Sequence, residues 1–279
     1  MNEFYTINDI QKLNNEDKMR ISKLKIPPNW NDIKISKDFN SKIQVIGIDK
    51  KNRTQYIYHP AWIVFSKDTK YSKINYINFN KLNKVLNKLS KFNGNYSKEY
   101  IISNMLIIMK DLNIRVGNEK YLKENNSVGL CTLQKIHLKK IKKDKKIEYK
   151  FVFVGKKNIN HEKILNNNHI IFINNIIKLP GNFLFKYISH DNNNNKIFKK
   201  ITADDINKFL KENINKNMTC KDIRTHCANE IYKKNYNKFI INGYTDKKAQ
   251  IKAIKIVSNE LGNTIKVCRD SYIDPSLYS

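Results

Sequence analysis

The segment Ser271-Tyr272-Ile273-Asp274-Pro275 sets one phenol just ahead of a proline, after the runs Leu261-Gly262-Asn263-Thr264 and Val267-Cys268-Arg269. We read Tyr272 as a nucleophile and the chain before it as the device that holds a substrate against it. One tyrosine among fifteen carries little by itself, so the weight falls on three cationic stretches upstream. Arg115-Val116-Gly117-Asn118-Glu119, followed by Tyr121 and by Asn126-Ser127-Val128-Gly129-Leu130, places an arginine where an apolar helix gives way to a glycine turn. Alone, such an arginine would satisfy helix C-terminal carbonyls. Phe153-Val154-Gly155-Lys156-Lys157-Asn158 places Lys156 at a glycine-bearing hairpin tip, from which it can reach toward a ligand, although most turn lysines are only solvated. Thr219-Cys220-Lys221-Asp222-Ile223-Arg224-Thr225-His226 opens a helix on a Thr219 N-cap. Lys221 and Arg224, three apart, share a face near the positive end of that helix dipole, a surface suited to phosphate. His226 reads as an ordinary helical histidine.

The elements that must position these residues fall into two sections. From Ile33 to Phe65 the chain shows short β-prone runs, Ile33-Lys34-Ile35, Ile43–Ile48 and Thr54–Tyr58, the last two joined as a hairpin through Asp49-Lys50-Lys51-Asn52. The prolines of Ile26-Pro27-Pro28-Asn29-Trp30 exclude regular helix there. Before them the spacing predicts a helix near Ile7–Asn14. After Tyr76 the period changes: Phe79, Leu82, Val85, Leu86 and Leu89 recur at three and four, an amphipathic helix, and Tyr100–Leu112 reads as a buried one. A second β section is expected over Thr132–Phe172, with strands at Gln134–Ile141, Ile147–Val154 and Ile170–Ile173 and a charged hairpin tip at Lys139–Lys146. Leu179-Pro180-Gly181 and His190–Asn195 are loops, Thr202 caps a helix, and the remainder to Gly262 is mostly helical. The expected class is α+β. A small N-terminal antiparallel β-sheet domain (1–76) precedes a mainly helical domain (77–279) carrying a β-hairpin or small sheet.

Bulk properties narrow the partner. With 53 Lys+Arg against 25 Asp+Glu the net charge is +28. An A/T-biased coding sequence would enrich glutamate along with lysine, so bias does not explain a twofold cation excess; a polyanion does. Nucleic acid is favoured over a membrane surface, because no cationic helix has an aromatic, lipid-facing side. No run approaches the ~20 apolar residues of a membrane span, and the N-terminus lacks signal-peptide regions, so an intracellular protein, cytoplasmic or nuclear, is expected. Cys131, Cys220, Cys227 and Cys268 form no C-x-x-C pair, which reads as buried free thiols without a zinc site or disulfide framework.

Taken together and in this order, the four stretches resemble the type IB DNA topoisomerases of the short poxvirus and bacterial kind. That family carries an arginine in R-V-G-N-E-x-Y, a hairpin lysine after glycine, K-x-x-R on a helix, a G-[HN]-T turn and S-Y-x-x-P. Ile26–Trp30 and Arg53–Pro60 also resemble its N-terminal domain, so the likeness runs from about residue 24 to Pro275. It implies Tyr272 as nucleophile, with Arg115, Arg224, Lys156, Lys221 and Asn263 around it and Lys157 as a rival of Lys156. Asn263 stands where many relatives have histidine; it can donate one hydrogen bond to a phosphate oxygen but carries no charge.

The implied reaction is attack of the phenol on a duplex DNA phosphodiester, expelling a 5′-hydroxyl and leaving a 3′-phosphotyrosyl link. Arg115 and Arg224 would clamp the non-bridging oxygens with fixed, permanently charged forks. Lys156 or Lys221 would protonate the leaving oxygen. Strand rotation would relax supercoils of either sign, and religation would need no ATP, metal or small-molecule cofactor. Gln55, Tyr56 and Tyr58 lie on one hairpin strand, the tyrosines sharing a face that could meet bases or phosphates in the major groove. The implied partner is double-stranded DNA, clamped by a monomer. Two other readings compete. A tyrosine recombinase shares the chemistry, though the N-terminal part reads as sheet rather than as a helical DNA-binding domain. A basic DNA-packaging protein shares the charge but needs no ordered constellation.

Overall fold

The computed structural model describes residues 3–143 and 146–278, so the centre of the basic run Lys139–Lys146 lies outside the described residues. The chain forms two compact units that divide between Lys73 and Ile74.

The first unit is built on a four-stranded antiparallel sheet in the order β1 (Phe4–Thr6), β2 (Asn31–Ser36), β3 (Ile43–Ile48), β4 (Thr54–Tyr58). Alternation along the strands sends Ile33, Ile35 and Val45 to one buried face, where Ile21 of α1 (Asn15–Lys23) covers them. The expected helix over 7–14 is instead a 3₁₀ turn at Ile7–Lys12, and the regular helix starts later because Asn14 accepts the Asp17 N–H as its N-cap at 2.7 Å. Helix α2 (Pro60–Tyr76) follows the sheet directly and was not foreseen. Its apolar residues cluster as Ala61-Trp62-Ile63-Val64-Phe65 rather than recurring at helical spacing, and Ile63, Val64 and Phe65 are exposed.

The second unit is mainly helical: α3 (Phe79–Leu89), α4 (Lys98–Leu112), α5 (Glu119–Asn125), α6 (Asn167–Ile176), α7 (Ala203–Asn213), α8 (Cys220–Ile241), α9 (Asp246–Leu261) and α10 (Ile265–Ser271). Two antiparallel sheets accompany them. One orders β5 (Leu138–Lys143), β6 (Lys146–Val154) and β7 (Asn160–Ile164); the other is the hairpin of β8 (Lys186–His190) and β9 (Lys196–Lys200). Helix α4 runs through the main core, with Ile101, Met105, Leu106 and Met109 fully buried beside Leu82, Phe151 and Ile173. A second apolar cluster joins α8, α9 and α10 through Tyr232, Val257, Leu261, Cys268 and Ile273. The four cysteines are free thiols, and Cys131, Cys220 and Cys268 are buried. Among the described residues no helix is long and apolar enough to cross a membrane.

The expected strand at Ile170–Ile173 is wrong: these residues lie inside α6. Asn166 caps that helix by accepting the His169 N–H at 2.9 Å, and the buried positions His169, Phe172, Ile173 and Ile176 follow a helical period. A compact run of Ile and Phe hides this, because strand and buried helix look alike over four residues. Residues 135–137, expected as strand, form a 3₁₀ turn, while β7, β8 and β9 were not anticipated.

Candidate active site

Four segments remote in sequence meet around Tyr272. The first begins where α4 stops at Asn113, which takes the left-handed conformation (φ 54°) and turns the chain out of the helix. The stretch after it is fixed by a short ladder: the Leu130 N–H donates to the Arg115 carbonyl and the Cys131 N–H to the Val116 carbonyl, both at 2.8 Å. Gly117 and Gly129 let the two backbones touch; a Cβ on Gly117 would stand 2.7 Å from the Gly129 Cα. Both glycine motifs seen in the sequence therefore serve one crossing, and Arg115 projects from its edge.

Arg224 comes from the second turn of α8, whose start is tightened by the Thr219 N–H and hydroxyl both donating to Asp222, at 2.7 and 2.8 Å. Its side chain is buried, with 4% exposed. One terminal nitrogen donates to the Asn113 carbonyl and the other to the Leu261 carbonyl at 3.2 Å. Arg224 thus ties the loop that carries Arg115 to the turn that carries Asn263. That turn ends α9: Gly262 is left-handed (φ 59°) and the Asn263 N–H donates to the Ser258 carbonyl at 3.0 Å. Thr264 then caps α10, and Tyr272 closes it, its N–H donating to the Cys268 carbonyl at 2.9 Å. The residues beyond are anchored. Asn229 accepts the Asp274 N–H at 2.9 Å, Tyr232 donates to the Leu277 carbonyl at 3.3 Å, and Tyr278 donates to the Arg269 carbonyl at 3.2 Å.

Arg115 donates to the Tyr272 hydroxyl at 3.1 Å and, through its other terminal nitrogen, to the Asn263 side-chain oxygen. The Arg224 guanidinium carbon lies 5.5 Å from the centre of the Tyr272 ring. Burial pushes the Tyr272 phenol up, but the charges of Arg224 and Arg115 and the hydrogen bond from Arg115 outweigh it, so the phenol sits below the usual tyrosine value. Burial likewise lowers Arg224, with Tyr272 opposing and Arg115 adding to the shift. Two buried donors face no good acceptor: Arg224 Nε and Asn263 Nδ2. Burial raises the neighbouring Cys268 thiol, which Asn263, Arg224 and Arg115 only partly offset. Three donor groups, two of them cationic, therefore converge beside one phenol, a set matched to an anion with several oxygens.

The lysines stand differently. Lys156 and Lys157 are exposed in the turn between β6 and β7, with Lys157 left-handed (φ 63°), and Lys221 is exposed on the first turn of α8 while Arg224 points inward. In the first unit, Asp49 at the β3–β4 turn receives Arg53 Nε at 2.8 Å and Gln55 Nε2 at 3.0 Å, and the Arg53 hydrogen bonds above all hold its carboxyl down at about 2. Tyr56 and Tyr58 are exposed side by side on β4, ring centres 6.0 Å apart.

Two site neighbours escaped the sequence reading, both on β7. His161 is half-buried against Gly155 and Gly262, and burial first, then Lys163, Arg224 and Arg115, lower its imidazole to about 4. Lys163 donates to the Glu260 carbonyl at 2.9 Å, and burial leads in lowering its ammonium. Only the alternation of β7 could have flagged them, and the second β section expected from the sequence assigned no strand to those residues.

Fold and site define a chain in which a helical domain trains two arginines and an asparagine on a single phenol. Its sequence matches the family model of the eukaryotic DNA topoisomerase I catalytic core over residues 65–270, and that of the bacterial DNA topoisomerase IB N-terminal domain over residues 4–49. The chain belongs to the DNA topoisomerase I catalytic-core family. It is 34% identical to the DNA topoisomerase 1B of Acanthamoeba polyphaga mimivirus over 208 residues, 74% of this chain and 61% of that one. It is 30% identical to the DNA topoisomerase I of monkeypox virus and 29% identical to the DNA topoisomerase 1B of vaccinia virus, strain Copenhagen, each over 60% of this chain and 54% of the relative. The chain thus spans 54% to 61% of the length of these relatives. The core match contains Arg115, Lys156, Lys221, Arg224 and Asn263 and ends just before Tyr272; Gln55, Tyr56 and Tyr58 fall between the two matched regions.

Proposed function

We propose that the protein is a type IB DNA topoisomerase. The Tyr272 phenol attacks a phosphodiester of duplex DNA, the 5′-oxygen leaves with a proton, and a 3′-phosphotyrosyl bond holds the nicked strand. Rotation relaxes positive and negative supercoils. Attack by the 5′-hydroxyl then restores the original bond and frees the phenol. The phosphotyrosyl bond is close in energy to the one broken, so the cycle needs no ATP.

The observation that carries this reading is the hydrogen bond of 3.1 Å from Arg115 to the Tyr272 hydroxyl, made beside Arg224 and Asn263. Two permanent positive charges lower the cost of forming a phenoxide and would meet the extra charge on the non-bridging oxygens as the phosphorus becomes five-coordinate. The unpaired Arg224 Nε and Asn263 Nδ2 are donors that such oxygens would satisfy. Lys156 or Lys221 protonates the leaving oxygen, both being exposed and free to swing toward a duplex. Because guanidiniums supply the charge, we expect no divalent ion to be required. Tyr56 and Tyr58 contact the duplex through the exposed face of β4, Gln55 contacts it from its place next to Tyr56 on the strand, and Lys157 contacts its backbone. We take the working form to be an intracellular monomer.

The test is relaxation of a supercoiled plasmid in EDTA without ATP, wild type beside Tyr272→Phe. Wild type should relax supercoils of both signs. The Phe variant should bind duplex DNA and form no covalent adduct. A trapped adduct on another tyrosine, or strict dependence on magnesium or ATP, would sink the reading, and a need for two cognate sites would mark a recombinase.

A further inference from the structure

We propose that His161 is a positioning residue for this reaction: wedged between Gly155 and Gly262, its ring sets the distance from the turn that carries Lys156 to the turn that carries Asn263. The inference rests on the topoisomerase reading above. In the β6–β7 register His161 lies opposite Phe153, and the two rings stack with centres 5.0 Å apart and planes 21° from parallel. One edge of the imidazole meets Gly155, where a Cβ would fall 2.7 Å from both Cδ2 and Nε2; the opposite side meets Gly262, where a Cβ would come closer still to Cε1. Gly155 leads directly into Lys156, and Gly262 directly into Asn263.

Two further features fit a strut. Lys163, two residues along the same strand and so on the same face, donates to the Glu260 carbonyl at 2.9 Å, so β7 grips the end of α9 at two points. Neither ring nitrogen of His161 makes a hydrogen bond among the described residues, so the ring acts by shape; it is also held neutral, which spares the site a further cation. In the proposed reaction the lysine must meet the leaving oxygen while Asn263 and Arg115 hold the phosphate. Misplacement by about 1 Å can cost on the order of 10²-fold in rate.

The test is single-turnover cleavage by the full chain on a duplex whose cleaved 5′-hydroxyl strand dissociates. His161→Ala should slow cleavage by about 10- to 100-fold with duplex affinity within about twofold, the split expected of misplaced rather than missing contacts. His161→Phe, a flat ring of similar size without ring nitrogens, should recover to within about threefold. Gly155→Ala should slow cleavage comparably, since φ −96° suits alanine and only the ring is in the way. Adding His161→Ala to Gly155→Ala should partly restore the rate, because the new methyl then has room. Wild-type rates in His161→Ala, a Phe variant as slow as Ala, or strictly additive defects in the double variant would each overturn the strut. If His161→Ala does not fold, the Phe and Gly155→Ala arms decide. Wild type that forms no Tyr272 adduct would instead overturn the topoisomerase reading and this inference with it.

Discussion

At the scale of single residues, the two arginines do different jobs. Arg115 is half-buried and its bonds go to side chains, Tyr272 and Asn263. Arg224 is buried and its terminal nitrogens go to the backbone carbonyls of Asn113 and Leu261. Arg224→Ala leaves both carbonyls without that partner, so chemical denaturation should show a loss of about 2–4 kcal/mol besides lost cleavage. Arg115→Ala should also abolish cleavage but cost only about 1 kcal/mol or less. Tyr272 gives a second check. Its phenol is held below the ordinary value, so an ultraviolet difference titration of wild type against Tyr272→Phe should place the missing phenolate signal below ~10. The sign for stability follows from linkage. A depressed acid pKa stabilises the fold fully only above the unfolded value near ~10, and that contribution fades as pH falls through the folded one; a phenol protonated in both states adds nothing.

At the scale of elements, the tyrosine is held by what surrounds α10 rather than by the short helix itself. Asn229 on α8 is buried and accepts the Asp274 N–H, two residues past Tyr272. Asn229→Ala should cost about 1–2 kcal/mol by thermal or chemical unfolding, and should slow cleavage while leaving duplex affinity unchanged. Strand β7 gives a pH test. The His161 imidazole, lowered to about 4 by burial and by Lys163, Arg224 and Arg115, shares its cleft with His137 and Glu162. Between the folded value and the unfolded one near ~6.5 the unfolded chain binds the extra proton, so this contribution is complete above ~6.5 and is lost as pH falls toward 4. For a half-exposed ring the loss is about 1–2 kcal/mol after solvent screening. Denaturation at pH 7 and pH 5 should show it in wild type and not in His161→Phe.

At the scale of the whole molecule, a net charge of +28 makes any nucleic-acid affinity strongly salt-dependent. If six to ten phosphates are contacted, duplex binding should weaken by about 10³- to 10⁵-fold between ~50 and ~200 mM salt. A titration series on a short duplex checks this, and a flat response would contradict a phosphate-tracking surface. The exposed pair Tyr56 and Tyr58 belongs to the first unit and the phenol site to the second. Replacing both tyrosines by alanine should therefore weaken duplex binding while single-turnover religation of preformed adduct stays near wild type.

Local signals made much of this legible from sequence. The β3–β4 hairpin, the amphipathic α3, the buried α4 and the Thr202 and Thr219 helix starts follow from alternation, period and capping chemistry, which a few neighbouring residues determine. Charge pointed to a polyanionic partner, and the order of the arginine, lysine and tyrosine motifs named the family. Where local signals were ambiguous the sequence misled, as at Ile170–Ile173, or said nothing, as at α2 and β7. Tyr272 itself shows the division. Sequence singled it out, but the hydrogen bond that Arg115 donates to its hydroxyl spans 157 positions. That Arg224 turns inward to join two backbone turns while Lys221 stays in solvent, and that His161 fills the space between two glycines, depends on how α8, α9 and β7 pack. Long-range packing of that kind is set by the shared core, and no local stretch of the chain encodes it.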